Sequence, residues 1–218
     1  MNLEDLIKLY RDQSQDKFEP FFCGDELLTI YANEGQDEAC RRGLLLRQSS
    51  GPMCQIAFAA GAELVPLHDN VLQVERAFVD GQVVSVVPVE YMDANHPGWQ
   101  FDQARERPQV LISGLTTDAL HLWPMPLAPG AIRLTVTHLP QKPMRNDADK
   151  PEIRREAHPA LVDWMLYRAY NTTDGDLFDP RKAEVSLKRF EAEFGSKASL
   201  RNESWVRAGS GAQPDPLA

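Results

Sequence analysis

The sequence predicts an α+β chain: a four-helix bundle interrupted by an inserted antiparallel β module, with a flexible C-terminal tail. Apolar residues recur at helical spacing near both ends of the chain, and from Met53 to about Leu139 the period falls to two. Beyond Gly195 the periodicity stops. Two helices, a β insertion and two further helices give the layered arrangement of a bundle carrying a β module. The expected boundaries are N-terminal helices in 1–50, the β domain in 51–140, a helical hairpin in 151–195 that completes the bundle, and the tail in 196–218.

Leu3, Leu6, Ile7 and Tyr10 fall at i, i+3, i+4 and i+7, a helix with one apolar stripe. Asp25 is the expected N-cap of a second helix whose apolar side holds Leu27, Leu28, Tyr31, Ala32, Gly35 and Ala39. Arg41 and Arg42 suit the negative end of its dipole.

In the β region, Leu72, Val74 and Phe78 alternate with Gln73, Glu75 and Ala77. Asp80-Gly81 then supplies the positive φ angles of a tight hairpin before Val83 to Val89 returns. A later pair repeats the pattern: Leu120 and Leu122, a turn over 124–130, then Ile132, Leu134 and Val136. Pro88 inside its strand implies an edge position or a bulge, because proline has no N–H for the ladder.

The proline-rich polar stretch 140–153 marks the exit from the β domain. His158-Pro159 reads as N-cap and first helical residue of a helix that runs to about Tyr170. Between Leu161 and Tyr170 only Asp163 and Arg168 are charged, so this helix is expected to be buried on most sides, either centrally or against a neighbouring subunit. Asp179-Pro180 starts the last helix, Ala183, Leu187, Phe190 and Phe194 form its stripe, and Gly195 ends it. The tail that follows is too polar to offset the entropy of its own ordering.

With 23 basic against 32 acidic residues the formal net charge is -9, which argues against sequence-reading contacts to nucleic acid or binding to anionic lipid. Such charge suits a surface that DNA passes without adhering. Cys23, Cys40 and Cys54 form neither a close pair nor a zinc-type set and are expected to be reduced thiols. The opening MNLEDLIKLYRDQ has no leader pattern, and no stretch approaches the roughly 20 apolar residues of a membrane span. A soluble protein of the cytoplasm is the expectation.

Several segments together carry a family likeness. Pro151 to Gly195 contains a proline and acidic residue at its entry, His158 before the helix, LVDWMLYRAY from Leu161 to Tyr170, an acidic turn from Asp174 to Asp179, and the stop from Phe190 to Gly195. It resembles the C-terminal helical hairpin of tailed-bacteriophage head-to-tail connector (adaptor) proteins. Gly24 to Leu46 is similar to that family's second helix, and Leu122 to Pro140 to its last β pair. The tail after Gly195 and the stretch from Asp93 to Arg107 show no such likeness. The resemblance implies a virion structural protein without enzymatic activity or cofactor, made in the host cytoplasm and placed in the neck. It also implies a dodecameric ring with portal protein on one side, tail, nozzle or fibre proteins on the other, and DNA passing through its channel.

By the same analogy Leu200, Trp205 and Val206 would anchor the tail to the portal, since aromatic residues are the usual interface hot spots. Trp205 reads equally as a residue folded back on its own bundle. Trp164, Tyr167 and Tyr170 are the candidate subunit-interface residues.

Other chemistries leave weaker traces. His68, Asp69 and His121 would be the ligands of a metal-dependent hydrolase, but His96, His138 and His158 add no metal-binding spacing to them. Asp174, Asp176 and Asp179 offer oxygens without the full spacing of a calcium loop. Trp99, Phe101 and Trp123 would stack on a sugar in a carbohydrate-binding module, although core or interface packing is commoner for such residues. Glu34, Asp37 and Glu38 in the second helix read as a channel-facing or simply solvated stretch. No glycine-rich phosphate loop occurs, which removes a nucleotide-driven motor.

Overall fold

Asn2 opens the first helix. Its side chain accepts from the Asp5 amide at 2.9 Å while the Asp5 carboxylate accepts from the Asn2 amide at 3.1 Å, a reciprocal cap that satisfies two orphan donors. Helix α1 covers Leu3–Ser14 and buries Leu3, Leu6, Ile7 and Tyr10, the stripe expected from their spacing. The computed structural model describes residues 1–172 and 177–197. These divide into a helical unit, residues 1–46 and 139–197, and a sheet unit, residues 47–138.

In the helical unit, α2 runs over Asp25–Gly43. Its N-cap is Gly24, not Asp25. Asp25 is already helical, and Arg11 donates to its carboxylate at 2.5 Å. Helix α4, Leu161–Tyr170, packs against α1, α2 and α5, so its nearly continuous apolar sequence reflects a central position. Helix α5 covers Pro180–Phe194. The Asp179 side chain accepts from the Arg181 and Lys182 amides at 3.1 Å each, and Gly195 ends the helix at φ 91°, both as the spacing predicts. Leu6, Tyr10, Leu28, Leu161, Met165 and Phe190 form the fully buried centre of this unit.

His158 does not cap α4. Helix α4 begins at Leu161 after a short 3₁₀ turn, Arg155–Ala157, and the buried His158 ring contacts the Ile153 carbonyl at 3.0 Å and the Met1 carbonyl at 3.1 Å. The proline-rich stretch is likewise stitched down: Asn33 exchanges two hydrogen bonds with the Met144 backbone, and Gln36 accepts from the Glu152 amide at 2.5 Å.

In the sheet unit the strands are β1 Leu46–Gln48, β2 Gln55–Phe58, β3 Leu64–Pro66, β4 Val71–Val79 and β5 Gln82–Pro88. Helix α3, Val89–Asn95, follows, then β6 Arg105–Glu106, β7 Val110–Ser113, β8 Ala119–Trp123, β9 Met125–Pro126 and β10 Gly130–His138. Eight strands form one sheet in the order β1-β10-β4-β5-β7-β8-β3, with β2 also on β10; β6 and β9 form a separate pair.

This corrects the expected fold. The chain is α+β, but with five α-helices among the described residues and a large eight-stranded sheet; it is not a four-helix bundle interrupted by a small antiparallel module. The difference arises between Val89 and Gln109, where α3 and β6 cross over and let β5 and β7 pair in parallel, which no tight turn allows.

Asp80 and Gly81 have φ of 49° and 81°, and the β4–β5 hairpin closes between Val79 and Gln82 as the turn residues require. The alternation along β4 breaks at Glu75, where the β10 register shifts between Thr135 and Val136. Ala77 and Val79 therefore turn inward and Phe78 outward, where Arg76 and Arg133 lie over its ring at 5.3 and 4.9 Å. The second expected hairpin does not form: β8 pairs with β7 and β3, while β10 pairs with β4 and β2. Strand β5 is interior, yet Pro88 lies beyond its last β4 partner and closes the strand, so the missing N–H faces no β4 acceptor.

Candidate interaction surfaces

The residues suggested for chemistry do not converge. Opposite His121 in the β3–β8 register lies Leu64, whereas His68 is in the turn after β3, its Nδ1 accepting from the Asn70 amide at 3.2 Å. Among the described residues no group of three or more His, Cys, Asp or Glu is placed to share a metal ion. Trp99 is 4% exposed and packs with Val87, Met92 and Ile112 in a small second core, to which Trp123 adds its half-buried ring. Trp99 Nε1 donates to Asp93 at 2.9 Å, its ring meets His121 edge-on at 5.4 Å, and Trp123 lies 5.0 Å from His96. These indoles are packing groups; only Phe101, 85% exposed, is presented to solvent.

The α4 aromatics hold the helical unit together from within. Trp164 lies 5.0 Å from Phe190 and 5.3 Å from Tyr167, and Tyr170 is buried. Beside them Arg42 forms a hub: its side chain is almost wholly buried, donates to Glu38 at 3.0 and 2.9 Å, to Glu191 at 3.4 Å and to the Gly195 carbonyl at 3.2 Å, and lies over the Trp164 and Phe190 rings. Glu38 also accepts from Arg41 at 2.8 Å, so each buried charge has partners. The hub fixes the point where the chain leaves α5. Leu200, Trp205 and Val206 lie outside the described residues, as do Thr173 to Asp176 of the acidic turn.

The outward faces are more informative. A loop between α1 and α2 is tied by buried Asp16, which accepts from Arg11 at 3.2 Å, from the Phe22 amide at 3.0 Å and from the Cys23 amide at 3.2 Å. This loop holds Phe18 and Phe22 out in solvent, and α2 continues with exposed Leu27 and Ile30. Leu27 thus leaves the apolar side where the sequence pattern placed it. Around Ile30 on the same face stand Glu26, Glu34 and Asp37, with Arg41 at the far end. Burial pushes the Asp37 carboxyl up, Arg41 opposes this, and Glu34 and Glu38 add to it. Arg168 pairs with Glu34 across this surface and covers the Tyr31 ring at 5.0 Å.

The outward face of α5 has the opposite sign. Arg181, Lys182, Lys188 and Arg189 surround exposed Val185. In the sequence, Ile30 and Val185 were legible only as apolar residues off the buried stripes. The sheet unit exposes several apolar groups, most strongly Val83, Phe101 and Leu127, and Val83 shares a cleft with Gln82, Val84, Glu106 and Arg107. No helix among the described residues is long and apolar enough to cross a membrane.

All three thiols are buried, and burial raises each, Cys40 to about 12.

The sequence model of the SU10 adaptor protein family matches residues 1–213. The match includes the stretch from Asp93 to Arg107 and most of the residues after Gly195, where no motif was evident. No curated protein matches the chain. The chain belongs to the SU10 adaptor protein family and is a structural component of the phage-adaptor type.

Proposed function

We propose that this SU10-family adaptor sits in the virion neck as a dodecameric ring, joining the portal to tail, nozzle or fibre proteins while the genome passes through its channel. The observation that carries this reading is the family match over nearly the whole chain, both units included. A net charge of -9 supports passage of DNA without adhesion, since like charge suppresses backbone contacts.

Labour divides by segment. The helices of 1–50 and 151–195 build the ring, with Trp164, Tyr167 and Tyr170 setting the spacing of α2 and α5 at the subunit boundary. The module of 51–140 meets tail components through Val83, Phe101 and Leu127. The segment after Gly195 engages the portal through Leu200, Trp205 and Val206. This is work by shape and adhesion, with no bond made or broken. Cryo-electron microscopy of the intact particle tests it: twelve copies are expected between portal and tail, and absence from the neck overturns the reading.

A further inference from the structure

The ring reading leaves open which surfaces of the helical unit meet. Helices α2 and α5 pack on the same α4, so their positions within that unit are fixed together, and each turns a charged face with an apolar centre to solvent. From Glu26 to Asp37 the α2 face is acidic about Leu27 and Ile30; from Arg181 to Ala192 the α5 face is basic about Val185. Each stripe spans eleven residue steps, about 17 Å of helix. On a helical wheel Arg181, Lys182, Lys188 and Arg189 all fall within about 60° of Val185, while Glu184 and Glu193 lie at the margins. Glu26, Glu34 and Asp37 fall within about 40° of Ile30, and Arg41, a turn beyond Asp37 on the same face, is held by Glu38 at 2.8 Å.

Some of these charges already have neighbours: Glu34 pairs with Arg168, Lys188 with Glu184 at 2.7 Å and Lys182 with Asp179 at 3.9 Å. These groups are substantially exposed, and such pairs contribute little, so they exchange readily for an intermolecular partner. For a chain of net charge -9, chance encounters between copies are repulsive, and a concentrated cationic stripe gives them one favourable orientation.

We infer that the basic face of α5, centred on Val185, docks against the acidic face of α2, centred on Ile30, of a second copy of this chain. Two different faces of the same unit then meet head to tail, the contact type that generates a ring when its rotation closes. The inference rests on the ring reading for closure only; the pairing of the faces rests on their charge and exposure.

Cysteine trapping in the full-length chain tests it. Copies carrying Ile30→Cys and copies carrying Val185→Cys are mixed under oxidising conditions, both purified at high concentration and within particles; the native thiols are buried and give little background. The mixed pair is expected to cross-link about tenfold or more above either copy alone. Reversing Arg181 and Lys188 to Glu should abolish the cross-link, and reversing Glu26 and Asp37 to Lys on the other copy should restore it, with circular dichroism unchanged throughout.

Predominant cross-linking of Ile30→Cys copies to each other overturns the inference. Multimers without the mixed cross-link, or charge reversals without effect, overturn it and leave the ring reading standing. A mixed cross-link that yields only open chains upholds the contact and overturns closure. Neither cross-link nor multimer in particles overturns both.

Discussion

The helical unit and the sheet unit hold themselves together by different means. The helical unit adds to its large apolar core a buried charge at the C-terminal ends of α2 and α5, with Arg42 satisfied by Glu38, Glu191 and the Gly195 carbonyl and covered by aromatic faces. The sheet unit rests on two apolar clusters, one about Leu111, Ile132 and Leu134 and one about Met92, Trp99 and Ile112. An apolar core is specified by volume, whereas a charged hub is specified by partners. Damage to each should therefore be repaired differently.

The largest effect is expected from Phe190→Ala, which removes a fully buried ring touching Trp164, Phe194 and Arg42. A loss of about 3–5 kcal/mol is expected on denaturant unfolding. Native-state hydrogen exchange should accelerate in 1–46 and 139–197 and be unchanged in the sheet unit. Trp99→Ala is the mirror experiment, about 3 kcal/mol, with lost protection confined to the strands around Ile112. If either change unfolds both units equally, the two units unfold as one cooperative whole.

Arg42→Met sharpens the contrast. Leaving Glu38 with Arg41 as its main partner should cost about 3 kcal/mol, and Glu38→Met in the same chain should recover most of it. A double variant as unstable as the single one would show that the aromatic contacts, not the ion pair, set the cost. Asp179→Ala, which frees two amides at the start of α5, should cost about 1 kcal/mol in thermal unfolding.

The smallest effect lies at high pH. The folded value of Cys40 is raised, so the folded chain keeps a proton that the unfolded chain gives up. Stability attributable to Cys40 is constant below pH 9.0 and falls as pH rises towards about 12. At neutral pH a thiol reagent should label Cys40 only as fast as the helical unit opens.

The same two units differ in how much of them was legible in the sequence. Helix signals are local: the stripe of α1, the Asp179 cap and the Gly195 stop each lie within a few residues of what they specify. Where the helical reading went wrong, at Asp25 and His158, a distant partner had claimed the side chain, Arg11 in one case and the Met1 carbonyl in the other. In the sheet unit only the Asp80-Gly81 hairpin and the antiparallel β7–β8 pair are local. The parallel β5–β7 pair, the bulge that turns Phe78 outward and the separation of β8 from β10 depend on partners tens of residues away, which a period of two does not encode. Of the candidate surfaces, the charges on α2 and α5 were visible in the sequence, but their segregation into two outward faces became visible only once the buried stripes were placed.

Gly35 in the middle of α2 has a consequence on the scale of descent. A Cβ there would meet Trp164 Cβ and Cδ1 at 3.1 Å, so the indole occupies the space a side chain would need. A lineage can then enlarge position 35 most readily where a change at position 164 or a small shift of α4 has opened a few tenths of an ångström. The two sites should covary in an alignment of close relatives, with tryptophan at the second less frequent where the first is alanine or serine.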